Sequence, residues 1–304
     1  MRDLSQEKVW SFISDGTKGE YQKCQFRKTK GVKVENYEDL VAKIAAIQFR
    51  NSNYVLLFRG QNDDYRLDDS PKKNSTIRPT LFRRDKGYGI DHWNRLIRNR
   101  YEVLEDAENQ LIEKWRNQEF EFLSKLERSA VTRWSILQHY EVCDTPLLDV
   151  TNSLRIAASF ASLSNPSGKT KEAAADDTMA DDAYIMVLAV PQISGGVTTC
   201  AYEEMQTLRL SSICPPTAIR AHLQEGYLIG EYPELQTFDQ KMKYELPETD
   251  FAMRLIAKFH FNPLTFWKKP DVFPRVTKQA LYPNDSDELF DICRSINVDY
   301  PTLP

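Results

Sequence analysis

Few of the residues that build metal and redox centres occur in this sequence. Its 304 residues include four histidines, none near another, and five cysteines (Cys24, Cys143, Cys200, Cys214 and Cys293) with no CxxC or Cys/His cluster. Neither a structural zinc site nor a disulfide framework is expected from that spacing, no metal site is assigned, and a reducing, cytoplasmic compartment is the expectation. No run approaches the roughly 18 apolar residues of a membrane span, and the opening MRDLSQEKVWSF holds no apolar signal core. Positive charge is not in excess: 40 basic and 44 acidic side chains give a net charge of −4, so nothing drives the whole chain toward nucleic acid or anionic membrane. GxGxxG after a strand and GxxxxGK[ST] are both absent, which removes sequence support for the doubly wound dinucleotide fold and the P-loop.

What is present is ordinary soluble globular text, 41% apolar and 28% charged. Residues 1–36 read as a polar lead. Tyr37 to Gln48 has helical spacing, and Tyr54 to Phe58 is a β-rich run ending in Arg59, Gly60 and Gln61. A polar loop and IRPTLFRR follow. From about 91 to 137 the chain is charged and helical, as an insertion with a solvated face. Residues 165–183 read as a flexible loop. Tyr184 to Val190 is a buried strand, Arg220 and His222 lie on a short helical turn, and Gln224-Glu225-Gly226 leads into the strand YLIG. Residues 249–296 read as mainly helical, with FAMRLIAKF and DELFDICRSI as amphipathic pieces. The fold class expected is α+β, a single domain over 37–296 with a mixed or antiparallel sheet and a large helical portion.

The stretch from Leu137 to Leu163 stands apart, because polar residues interrupt an apolar run. Pro146 bars one continuous helix. Leu147, Leu148 and Val150 then read as a short strand, and Asn152 or Ser153 as the cap of a helix with Ala157, Phe160 and Ala161 on its apolar face. Asp149, inside the strand, requires a partner, and Arg59 is the natural one. Arg59 itself suits bidentate phosphate or carboxylate binding, with Gly60 allowing a ligand close to the backbone. His139 is a candidate acid or base and Glu225 a candidate carboxylate. Each has a structural alternative: Thr151 and Ser153 as helix caps, His139 as a core residue, and Asp63, Asp64, Asp68 and Asp69 as a solvated loop rather than a metal-dependent nuclease site.

Three ordered pieces resemble the FRG domain family: FRGQ at 58–61 with IRPTLFR at 77–83, QHY…TPLLDVT…AASFA at 138–161, and RAHLQEGYLIG at 220–230. Glu141 stands where the family usually has glycine, and Val150 where it has Trp. The resemblance brings no established activity, although many such proteins sit in bacterial and phage-related neighbourhoods. A wider similarity is to ADP-ribosyltransferases of the Arg–Ser–Glu type. It implies an ADP-ribosyltransferase-like β-core with NAD as cofactor, Arg59, Gly60, Gln61, Asp149, Thr151 and Ser153 in the binding set, and Gln224, Glu225 and His139 as catalytic candidates. The last acidic position of that family's Glu-x-Glu falls on Gly226, and Glu225 replaces it only with a shift of one residue. Transfer or hydrolysis at the nicotinamide ribose bond, in a conflict effector with a protein or nucleic-acid target, is the function that this similarity implies. A non-catalytic module recognising a nucleotide or nucleic acid is the alternative.

Overall fold

A computed structural model describes residues 7–66, 74–84, 89–118, 121–163, 179–244, 249–268, 273–283 and 287–300. The chain opens with a hairpin, β1 (Lys8–Ser14) and β2 (Thr17–Gln22), followed by β3 (Val32–Lys33). Asn36 then caps α1 (Tyr37–Arg50), its side chain accepting from the Asp39 amide and satisfying one of the orphan donors of the first turn. The strand β4 (Val55–Gln61) comes next, then three helices, α2 (Ile90–Asn117), α3 (Leu123–Arg128) and α4 (Ala130–His139). A short strand β5 (Leu148–Thr151) leads to α5 (Leu154–Ser162), then β6 (Ala183–Val190), β7 (Val197–Cys200) and β8 (Met205–Arg209). Two short helices, α6 (Leu210–Ile213) and α7 (Ile219–Leu223), precede β9 (Gly226–Glu231) and α8 (Phe238–Lys243). The remainder is β10 (Leu255–Phe261), α9 (Pro263–Phe266), α10 (Lys278–Leu281) and α11 (Glu288–Arg294).

Eight strands form one mixed sheet in the order β3-β10-β6-β4-β5-β9-β8-β7, parallel only between β10 and β3. The fold is α+β. Side chains alternate across the sheet with period two. On β9, Tyr227 and Ile229 join the core formed with α1 and α5, whereas Leu228 joins the core formed with α2, α4 and α11. Asp149 lies opposite Leu228 in register and therefore shares the face of α4. Between β4 and β5 the ladder is a single pair, Phe58 with Thr151. The two strands part beyond it.

Several expectations change. Residues 7–35 are more than a lead, since Val9, Phe26, Val32 and Val34 are buried in the main core. FAMRLIAKF is not a helix: a 3-10 turn at Phe251–Arg254 runs into β10, which lies inside the sheet. Arg254 and Lys258, four apart, mimic the polar face of a helix. Both are buried and paired, Arg254 with Glu203 at 2.7 Å and Lys258 with Asp64 at 2.7 Å. Asp64 is thus drawn into an internal ion pair and not left in a solvated loop, while Asp68 and Asp69 lie outside the described residues. So does most of the expected loop 165–183, of which 179–183 are described and end in the start of β6. No helix is long and apolar enough to cross a membrane among the described residues.

Candidate functional site

The parting of β4 and β5 opens a cavity of about 160 Å³, roofed by α4 and α7 on one side and by α5 on the other. From β4 come Phe58, Arg59 and Gly60; from α4 and the turn after it, Gln138, His139 and Glu141; from β5, Asp149, Val150 and Thr151. Ala157 and Phe160 of α5, Leu210, Arg220, Gln224, Gly226, Tyr227 and Tyr282 complete the wall. A cavity of this size matches one ring-sized group, as an apolar cavity of about 150 Å³ holds benzene. Six of the nine sequence candidates meet here: Arg59, Gly60, His139, Asp149, Thr151 and Gln224. Gln61, Ser153 and Glu225 do not line it.

Arg59 continues β4 and does not stand in a turn. Its Nη1 donates to the Asp149 carbonyl oxygen at 2.7 Å, so the expected pairing with the Asp149 carboxylate is replaced by a main-chain contact. Among the described residues this is the one hydrogen bond of the guanidinium. Burial, and then the charge of Arg83, pull Arg59 down to about 10, which leaves it charged at neutral pH. Arg83, also lowered by burial, adds a second cation on that side.

The Asp149 carboxylate has other partners. Gln138 Nε2 donates to Oδ2 at 2.6 Å, and Gln138 is itself oriented by the Thr145 hydroxyl, which donates to its Oε1 at 2.5 Å. His139 Nδ1 stands 3.9 Å from Oδ1. Burial alone would raise Asp149, but His139, Arg59 and Gln138 together hold it below the ordinary carboxylate range. His139 moves the other way: burial favours the neutral imidazole and outweighs the pull of Asp149, so it lies below its ordinary value.

The remaining candidates are spoken for by the fold. Gly60 is needed because a Cβ there would lie 1.8 Å from the Ala157 carbonyl oxygen, so α5, not a ligand, makes the close approach. Gln61 donates to the Asp63 carbonyl at 2.7 Å. Thr151 Oγ1 contacts the Gln224 and Glu225 carbonyl oxygens and accepts from the Ser153 amide at 3.0 Å, which bridges β5 to the turn before β9. Ser153 is the N-cap of α5 by position, yet its side chain makes no capping bond. Gln224 Nε2 is committed to the Leu281 carbonyl at 2.7 Å. Glu225 is exposed, in a left-handed turn with φ 45°.

Among the wall residues not picked as site candidates from sequence, Arg220 and Tyr282 stand together. Arg220 is 3% exposed, packed on the faces of Tyr140 and Tyr282 at 5.5 and 4.6 Å, with Glu141 Oε1 at 3.5 Å. Glu141 adopts φ 55°, the left-handed conformation that favours glycine, which explains the glycine usual at this place in the resembled family. Arg220 carried a sequence signal, as the first residue of the third motif; Tyr282 carried none. Asp287 ties the region together, accepting from the Tyr140 hydroxyl at 2.9 Å and the Arg220 amide at 2.9 Å.

No curated protein and no solved structure matches the chain. A family model does: that of the FRG domain, over residues 54–170. The matched segment contains β4, α2 to α5 and with them Arg59, Gln138, His139, Asp149 and Thr151, whereas Arg220 and Gln224 lie beyond it. Over residues 54–170 this chain is similar to the FRG domain.

Proposed function

We propose that the cleft binds a nucleotide, NAD in the first instance, and acts at the nicotinamide ribose bond by transfer or hydrolysis. One observation carries this reading: Arg59 of β4, Asp149 and Thr151 of the neighbouring β5, and Gln224 in the turn before β9 converge on one ring-sized cavity. The free nitrogens of Arg59, with Arg83 near, suit a diphosphate. Phe160, Tyr227 and Tyr282 suit a flat ring. The ionised Asp149 is placed to stabilise positive charge developing on a ribose held between them. A whole dinucleotide exceeds 160 Å³, so its outer half lies along the surface at Arg83.

A second reading has its own support. Gln224 is spent on Leu281 and Glu225 faces solvent, so no acid stands where the Glu-x-Glu comparison asks for one; this favours a recognition module without turnover. Incubation with NAD separates the two. Release of nicotinamide, with free ADP-ribose or a modified protein or nucleic acid, supports the enzyme; saturable binding with no release supports the module. Absence of binding removes both.

A further inference from the structure

On the cleft wall His139 carries a buried polar atom that packing leaves unsatisfied. It ends α4, is 3% exposed and lines the cavity. Its Nδ1 lies 3.9 Å from Asp149, beyond hydrogen-bond distance, and its Nε2 is buried with no hydrogen-bond partner. An imidazole nitrogen buried without a partner is a costly arrangement. Such a group is kept where a ligand or a reaction completes it. Resting on the nucleotide reading above, we propose that His139 is the general base of a hydrolase, taking a proton from a water enclosed beside the ribose, with Asp149 as its positioning carboxylate.

The step balances without a further reactant. The bond from ribose C1′ to the pyridinium nitrogen breaks and its electron pair stays with the ring, which leaves as neutral nicotinamide. The water oxygen bonds to C1′; one of its protons passes to His139 Nε2 and the other remains on the new hydroxyl. No proton has to reach this leaving group, and stabilisation of the ribosyl cation, the task of the missing Glu-x-Glu carboxylate, falls to Asp149. The imidazolium formed is met by the Asp149 carboxylate from β5, which Gln138 holds at 2.6 Å. Arg220 of α7 opposes that charge and Asp287, ahead of α11, favours it. Contacts of this kind shorten when substrate binds.

The test compares wild type with His139→Gln, using NAD. The expected result is NAD affinity within about threefold of wild type and kcat lower by about 10²- to 10⁴-fold, the range of a lost general base. In methanol–water mixtures wild type should yield O-methyl ADP-ribose beside ADP-ribose. Its kcat should fall through one ionisation below pH 6.5 that the variant lacks. If His139→Gln does not fold, the wild-type pH profile decides, and a kcat that stays flat from pH 8 down to the onset of acid unfolding overturns the proposal. So does release that persists in the variant, ADP-ribose found only on a macromolecule, or NAD bound with no release. Those three results leave nucleotide binding standing; no binding by wild type removes the reading beneath it.

Discussion

A Cβ at Gly60 would lie 1.8 Å from a main-chain oxygen of α5 that has no room to retreat. Gly60→Ala should therefore cost at least about 3 kcal/mol, measured by urea denaturation; a loss under about 1 kcal/mol would refute the packing role. Glu225 gives the opposite expectation. It holds φ 45° and is exposed, so Glu225→Gly should raise stability by about 0.5–1 kcal/mol and leave NAD affinity unchanged. A tenfold loss of affinity would return Glu225 to the site. At this scale the sequence was readable where a residue's role is local and misleading where it depends on a distant contact. Arg59 and Asp149 were correctly joined, but through a carbonyl oxygen. The carboxylate partner, Gln138, was visible as the first residue of the QHY motif, with no sign of what it would hold.

Caps offer a clean comparison between elements. Asn36 accepts from the Asp39 amide at 2.9 Å at the start of α1, whereas the Ser153 side chain caps nothing at the start of α5. Asn36→Ala should cost about 1 kcal/mol and Ser153→Ala less than about 0.5 kcal/mol in chemical denaturation. Equal costs would contradict the hydrogen bonding described. The elements with strong periodicity, α1, α2, β4, β6 and α11, were legible from spacing. β10 was not, because Lys258 within it and Arg254 just before it sit four apart and local pattern carries no information on Asp64 or Glu203, which neutralise them from far along the chain. Hairpin β1–β2 was likewise hard to read: β1 buries Val9 and Ser11 and leaves Trp10 and Phe12 on the half-buried face, so hydrophobic alternation is lost.

The cleft belongs to the whole molecule, since its walls come from residues 58 to 282 and only the sheet order brings them together. Three ordered motifs made its outline readable; Tyr282 and the salt of Arg220 with Glu141 were not, being set by how α10 and α7 pack. One global consequence follows from His139. Its folded value lies below the unfolded 6.5, so as pH falls through 6.5 the unfolded chain takes up a proton that the folded chain refuses. Wild type should therefore lose stability relative to His139→Gln between pH 7.5 and the folded value, by up to about 1.4 kcal/mol per pH unit. Parallel stability–pH curves would show that burial does not hold the imidazole neutral.

The central claim, that this cleft takes a nucleotide on Arg59, is tested most directly by titration calorimetry with NAD on wild type and on Arg59→Ala. The guanidinium's charge-assisted hydrogen bonds predict a loss of about 10- to 100-fold in affinity, with the melting temperature of the variant showing that it is folded. Unchanged affinity in a folded Arg59→Ala, or no binding by wild type, would contradict the account.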